Sequence, residues 1–517
     1  MTHFGGVTHL HAGLCLALGG IGAALLLHTT ADPDLWGHLA VGRLTLAHGL
    51  PRTDPFSYTA AGAPFVDHEW LSDLVTYACF RLAGPAGLIG WRLLLLASML
   101  ALVAAAVRRA RGGPLATVAT LTVVVVGTFP WLVTVRPQLY TFVFFAALLL
   151  ALVRADAGDR RPLACTPALT VLWVNLHGGI VAGLGVLGLW GGLRLAQASA
   201  VALGRPLRGV LGRGTPAAGA ARMIALVLAL HVAAALLNPY GLTLWRFFAE
   251  TLTVRRAEIT EWQPVTPTNL GDLLGLAALA ALGLWIATSR RARDPVQLAT
   301  LGLLVVAALG ARRHLALAVI AGAVFGAPHV AEAFAHEAAG SRAGGAPRAL
   351  LGGTLAVVAS LVVAGLGRAR CVTIEPGTVP RAAVEYLKAA RVEGKLAVLF
   401  DWGEYVIWHL APQVRVSIDG RRETVYSPAL LAENAAFLYG RPDWRDGLDR
   451  DRVDVALMSP RFAAYERLSA AADWRLAFAD ASSGLFVRRG SAAEAALART
   501  TPSPASAADA LCLGRAG

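Results

Sequence analysis

Lysine is almost missing from this chain: Lys388 and Lys395 stand alone among 46 basic residues. Charge of either sign is scarce, at 15% of 517 residues, where an average soluble domain carries about 25%. With 56% hydrophobic residues and a mean hydropathy of +0.57, a simple soluble globule and a disordered chain are both excluded. The 54 glycines and 26 prolines follow no period, which excludes a collagen-like repeat. Five cysteines, at 15, 79, 165, 371 and 512, lack metal-ligand spacing. Cys371 and Cys512 bracket the C-terminal segment and could pair if it is extracytoplasmic. A formal charge of +13 invites a nucleic-acid partner. That reading is rejected, because the arginines sit in short clusters between apolar runs and form no single phosphate-binding face.

A spanning helix needs about 20 mostly apolar residues. Runs of this kind occupy 10–29, 86–107, 114–134, 139–153, 164–177, 179–197, 223–239, 271–288, 295–311, 314–328 and 350–368, which predicts about eleven spans. The first lacks a basic leader and is not expected to be a cleaved signal peptide. With a cytoplasmic N-terminus, Arg108/Arg109/Arg111, Arg154/Arg160/Arg161, Arg205/Arg208/Arg213/Arg222, Arg290/Arg291/Arg293 and Arg342/Arg348 all fall inside, as the positive-inside rule requires. The loop 30–85, the region of Arg136, the corner 175–179, the segments 238–270 and 311–314, and everything after 369 then face outward.

The expected architecture is an α-helical multi-span membrane protein. Residues 1–368 form its membrane domain with the first outer loop 30–85. Residues 369–490 form a small extracytoplasmic α/β domain, and 491–517 a disordered tail. Arginine and alanine richness suggests a GC-rich bacterial genome, hence a bacterial cytoplasmic (inner) membrane and a role in the cell envelope.

The first outer loop holds the densest polar pattern. Asp32-Pro33-Asp34-Leu35-Trp36-Gly37-His38 follows the first span, and a helical stretch runs from Leu39 to His48 before Gly49. After turns at 54–58 and 62–64, Asp67-His68-Glu69-Trp70-Leu71 opens a second helix to about Arg81. Two amphipathic helices of this kind are expected to lie along the membrane surface. Each polar residue has two readings. Asp32 and Asp34 either activate a hydroxyl or bind a divalent cation, or Asp34 caps the following helix. Glu69 is a ligand or a first-turn acid. His38 and His68 are ligands or ordinary surface histidines, and Trp36 and Trp70 contact substrate or anchor the interface.

These residues resemble the GT-C superfamily of integral-membrane glycosyltransferases. The nearest pattern is the protein O-mannosyltransferase and aminoarabinose-transferase branch, with Asp-Glu-x-x-Tyr-Ala, then Gly-x-x-x-x-Pro, then Lys-Pro-Pro-Leu. Here Asp32 stands for the leading Asp, Trp36 for the Tyr, and His68-Glu69-Trp70-Leu71 for Lys-Pro-Pro-Leu. The Asp-Pro-Asp-x-Trp-x-His string is also similar to the first loop of the oligosaccharyltransferase catalytic subunit. The resemblance covers roughly residues 10–110. Pro33 replaces the adjacent Glu of the family pattern, so Asp34 has to supply any second acid.

The resemblance implies transfer of a sugar from a polyprenyl-phosphate donor to an acceptor on the outer face, with Asp32 or Asp34 as general base. The leaving phosphate calls for positive charge or a metal. Metal dependence stays open, with Asp32 and Asp34 as ligands if there is any. Arg136, Arg312 and Arg313, with His314, are the candidate phosphate holders, since a guanidinium suits phosphate bidentately, and the other reading is snorkelling to lipid headgroups. Asn175 and His177, in the polar break Trp173-Val174-Asn175-Leu176-His177-Gly178-Gly179, and Glu261, in Glu261-Trp262-Gln263-Pro264, are candidate sugar or phosphate contacts. The partners expected are membrane lipid, the lipid-linked sugar and an acceptor. The competing reading is a transporter or flippase of a lipid-linked glycan. Against it, the chain halves show no internal repeat, and the polar residues cluster at the outer boundary rather than the midplane.

After residue 370 the periodicity changes to short strands at 396–400, 414–418, 453–458, 474–478 and 485–488 alternating with helices. This α/β segment has neither G-x-G-x-x-G nor a Walker A loop. Asp401, Asp419 and Arg421 stand at strand ends, where open α/β sheets bind ligands, or serve as caps and turns.

Overall fold

The computed structural model describes residues 28–203, 216, 218–254, 259–335, 371–502 and 511–513. The chain divides into two compact units. One comprises Met1–Thr29, Ile89–Leu242 and Leu252–Arg370; the other comprises Thr30–Leu88, Thr243–Thr251 and Cys371–Gly517.

The second unit begins with α1 (Leu35–His48) and α2 (Trp70–Ala83). They pack side by side, and Gly42 is required at the crossing: a Cβ there would stand 2.1 Å from the Asp73 carbonyl oxygen and 2.7 Å from Tyr77 Cβ. Surface-lying amphipathic helices were expected, but Leu35, Trp36, Leu39, Ala40, Val41 and Thr45 are all buried in α1. Its apolar residues are spread round the helix rather than along one stripe, and such a helix belongs in a core.

The membrane unit is helical. In chain order its helices are α3 (Pro85–Arg109, whose first turn belongs to the other unit), α4 (Pro114–Leu132), α5 (Gln138–Asp156), α6 (Arg161–Leu176), α7 (Ile180–Ala202) and α8 (Ala218–Ala235). After α9 (Leu242–Thr253), most of which groups with the second unit, follow α10 (Leu270–Thr288), α11 (Pro295–Gly310) and α12 (Leu315–Ala333). The central member is α12, packed against α4, α5, α10 and α11 and buried along nearly all its length. Its Ala- and Gly-rich sequence lets neighbouring backbones approach closely, which is how helices associate without a hydrophobic drive. Leu94, Leu172, Leu226, Leu284, Leu303 and Val306 point outward, as lipid-facing leucines do.

Among the described residues six helices are long and apolar enough to cross a membrane, and Gly219–Ala235 and Pro295–Gly310 are shorter apolar helices. The expected eleven are therefore not matched in number. Helix α6, at 16 residues, is short for a span, and the expected runs 10–29 and 350–368 fall almost wholly outside the described residues.

The C-terminal part of the second unit is a small α/β fold, as its alternating pattern predicts. After β1 (Val372–Ile374) and α13 (Arg381–Ala389) come β2 (Gly394–Val398), α14 (Phe400–Leu410), β3 (Val414–Val416), α15 (Pro428–Leu438) and α16 (Asp446–Arg450). Then follow β4 (Val455–Met458), α17 (Ala463–Ala470), β5 (Trp474–Ala479), β6 (Gly484–Arg488), α18 (Ala492–Ala498) and β7 (Leu511–Cys512). One five-stranded sheet runs β3-β2-β4-β6-β5, parallel on one side and antiparallel on the other.

Helix α1 packs against α14. The loop ahead of α2 covers the sheet's edge: Tyr58 N–H donates to the Val416 carbonyl, and Val416 N–H to that of Phe56. Covering an edge in this way removes an unpaired strand. The first outer loop thus belongs to the α/β unit, whereas the sequence attaches it to the membrane domain. Of the tail, residues 491–502 and 511–513 are described. Ser491 caps α18, Leu497 is buried, and Cys512 pairs with Cys371 in a disulfide beside the β1–β7 ladder.

Candidate active site

At the entry to α1, Asp32 Oδ1 accepts from the Asp34 N–H at 3.1 Å, and its carbonyl accepts from Leu35. Asp32 therefore does the local turn-forming. Asp34 occupies the N-cap position but makes no side-chain capping hydrogen bond, so the capping reading does not describe its carboxylate. Asp34 instead borders Gly420: a Cβ built there would lie 3.2 Å from Asp34 Oδ1 and 2.7 Å from Glu404 Oε1. Two carboxyl groups, one from each end of the chain, face one spot.

Glu404 lies in α14 and is 5% exposed. Its Oε2 accepts the Gly37 N–H at 3.1 Å. Burial, reinforced by Asp34 and Asp419, pushes its carboxyl well above the carboxylate range, and His38 and Arg421 oppose this only in part. Asp401, one turn earlier, is raised by burial and by Asp34. Such paired environments, one acid kept neutral beside another, recur where proton transfer is organised.

Asp419 follows β3 and is fully buried. Arg421 clamps it with Nε–Oδ1 and Nη2–Oδ2 contacts of 2.8 and 2.7 Å, and its Nη1 reaches Asp54 Oδ1 at 2.7 Å. Tyr426 donates to Asp419 Oδ2 at 2.6 Å. Burial alone would discharge Arg421, yet Asp419, Tyr426 and Asp54 hold its charge firmly. Phe56 and Phe65 stand 5.1 and 5.2 Å from the guanidinium carbon. Both carboxylates are spent on Arg421, and its fork is occupied.

His38 Nδ1 lies 2.7 Å from Asp73 Oδ1. Burial disfavours its charge, but Asp73, with Glu69 and Glu404, outweighs burial and raises the imidazole to about 10. Asp67 accepts from the Glu69 N–H at the start of α2. Glu69 Oε1 is 3.4 Å from His68 Nε2, and His68 packs on Phe247 and Phe248. Trp36, expected at a substrate or the interface, is 1% exposed between Tyr405 and His409. Its position on α1, facing α14, makes it core.

The remaining sequence candidates lie in the membrane unit. Arg136 pairs with Glu261, and Gln138 Nε2 also reaches Glu261 at 3.3 Å. Arg312 lies 3.4 Å from Asp272, its N–H donates to the Gln263 carbonyl, and Arg313 stacks 4.3 Å over Trp262. Arg136, Glu261, Arg312 and Arg313 thus gather round the single turns Thr260–Trp262 and Arg312–His314. His314 opens α12.

Asn175 and His177 are placed differently. Asn175 donates to the Val171 and Leu237 carbonyls, His177 Nδ1 meets Thr141 Oγ1 at 2.7 Å, and both side chains are largely buried. These bonds knit a helix corner, a structural use for both residues.

Sequence reasoning passed over Glu404, Asp54, Asp67 and Asp73. The only available signal was an acid inside an otherwise apolar helix, as in Phe400–Leu410. Among the described residues no three His, Cys, Asp or Glu side chains group as metal ligands.

No family model and no curated protein matches the chain. The oligosaccharyltransferase of Archaeoglobus fulgidus, solved with a tethered acceptor peptide containing the NVT sequon, aligns at TM-score 0.51 and 13% identity over 87% of this chain and 69% of that one. The chain shares the fold of this oligosaccharyltransferase. ArnT from Cupriavidus metallidurans also aligns with this chain. Bound to undecaprenyl phosphate it gives TM-score 0.48 and 14% identity, over 93% of this chain and 98% of its own. In the apo state it gives TM-score 0.40 and 13% identity, over 93% and 97%.

Proposed function

We propose that this GT-C chain is a bacterial inner-membrane glycosyltransferase that moves a sugar from a polyprenyl-phosphate donor to an acceptor hydroxyl on the extracytoplasmic face. The observation that carries the reading is Asp34: a carboxylate at the head of α1, not used for capping, beside the buried acid Glu404. Asp34 takes the acceptor proton. The freed oxygen pair attacks the anomeric carbon, and the bond from that carbon to the phosphate oxygen breaks. The electron pair leaves with polyprenyl phosphate, whose charge calls for cationic partners. Asp32 shapes the turn that presents Asp34.

The disulfide Cys371–Cys512 supports an outward-facing α/β domain, because such bonds persist in oxidising compartments. The test is release of undecaprenyl phosphate from undecaprenyl-phosphate hexoses and pentoses by membranes carrying each variant. Asp34→Asn is expected to lower turnover by about 10²–10⁴-fold, and Asp32→Asn far less. Turnover by Asp34→Asn at the wild-type rate would remove the assignment.

A further inference from the structure

Glu404 is the least expected acid in the second unit. It is buried, it sits on the C-terminal α14, and its hydrogen-bond partner is the backbone of residue 37, in α1. Two glycines make room for it, and a third, Gly403, lets its helix approach its neighbour. A Cβ on Gly37 would stand 2.4 Å from the Glu404 carboxyl carbon, and one on Gly420 would stand 2.7 Å from Oε1. A Cβ on Gly403 would lie 2.1 Å from the Ile418 carbonyl oxygen, so only glycine lets the first turn of α14 press against the segment leading to Asp419. One carboxyl group therefore touches the first turn of α1 and the Gly420 turn while standing on a third element.

We propose that Glu404 is a positioning residue for Asp34: by gripping the Gly37 N–H and filling the Gly420 notch, it fixes where the head of α1 holds the Asp34 carboxylate. The first turn of α1 has free backbone N–H groups that need an acceptor. Asp34 leaves its own helix unserved by its side chain, and Glu404 serves it from the other end of the sequence. The grip ties α14 to the turn that carries the base. Burial, reinforced by Asp34 and Asp419, holds the Glu404 carboxyl well above the usual carboxylate range.

The inference rests on Asp34 being the base, so the experiment reads position and turnover separately. Wild type, Glu404→Gln and Glu404→Leu, each checked for an intact Cys371–Cys512 bond, are compared in two ways. Amide hydrogen exchange is followed in peptides spanning 33–40, and release of undecaprenyl phosphate is followed from an undecaprenyl-phosphate sugar. Glutamine keeps an oxygen for Gly37 and a neutral head, so both readouts should stay within about threefold of wild type. Leucine should raise exchange at Gly37 at least tenfold and lower kcat at least tenfold, with donor KM within twofold. Should Glu404→Leu fail to accumulate, Glu404→Asp, a methylene too short to reach Gly37, is read in its place.

Unchanged exchange in the leucine or aspartate variant overturns the proposal. So does a glutamine variant as slow as the leucine one, since that would make the proton itself essential. If wild type turns over no donor, the glycosyltransferase reading fails, while the exchange arm still decides whether Glu404 holds α1.

Discussion

His38 Nδ1 stands 2.7 Å from Asp73 Oδ1, a contact that ties α1 to α2 beneath the Asp34 turn. The imidazole is raised from 6.5 to about 10, so the folded chain favours its protonated form. That stabilisation is complete below about 6.5 and is lost as pH climbs through about 10. The melting temperature of the purified protein should therefore fall over this window. His38→Gln should flatten the profile and cost about 1–3 kcal/mol at pH 6. Parallel profiles for variant and wild type would refute the pairing.

Arg421 is the cation between Asp54 and Asp419. Removing one partner of a buried ion pair leaves uncompensated charge and costs about 3–5 kcal/mol. Arg421→Met should destabilise by that amount in chemical unfolding. Arg421→Lys should recover less than half of it, because a single ammonium cannot reproduce the planar fork. Adding Asp54→Asn and Asp419→Asn to Arg421→Met should restore much of the loss. Failure of this rescue would show that packing on Phe56 and Phe65, not charge, is what Arg421 supplies.

The strands of the α/β domain were legible because alternation is a local signal: runs expected at 474–478 and 485–488 are strands Trp474–Ala479 and Gly484–Arg488. The long membrane helices were legible for the same reason. Helix α1 begins at Leu35 rather than Leu39 because Asp34 itself adopts helical backbone angles and does not interrupt the turn. What sequence could not show is pairing at long range. Nothing local marks Gly37 and Glu404 as partners, and nothing local says that Trp36 meets Tyr405. The acids of the first loop stand out in the sequence; Glu404, which the fold brings beside Asp34, does not. Asn175 and His177 looked like ligands because a polar break in an apolar run has the same sequence signature whether it binds substrate or ties a corner.

The Cys371–Cys512 bond closes a loop spanning 141 positions and fastens the chain's end beside β1. Disulfides act mainly by restricting the unfolded chain, and losing one costs about 2–5 kcal/mol. Cys371→Ser/Cys512→Ser should lower the melting temperature, and reductant should bring wild type down to the same value. A wild type indifferent to reductant would mean the bond adds nothing to folded stability.

Arginines near a helix end have two uses, and kinetics separates them. Arg136, Arg312 and Arg313 stand round the Thr260–Trp262 turn with Glu261 and Asp272 as the neighbouring acids. If they hold the donor phosphate, Arg136→Ala and Arg313→Ala should each lower kcat/KM for the undecaprenyl-phosphate sugar about tenfold, which is about 1.4 kcal/mol. Arg313→Lys should recover only part, since an ammonium keeps the charge but loses the flat stacking on Trp262. Glu261→Gln should leave Arg136 charged but less restrained, giving a smaller loss than Arg136→Ala. Snorkelling arginines would behave otherwise: their replacement would shift the melting temperature in lipid and leave kcat/KM untouched. Wild-type kcat/KM in both alanine variants would mean that these side chains only anchor helix ends among headgroups, and the leaving phosphate would have to be met by other groups.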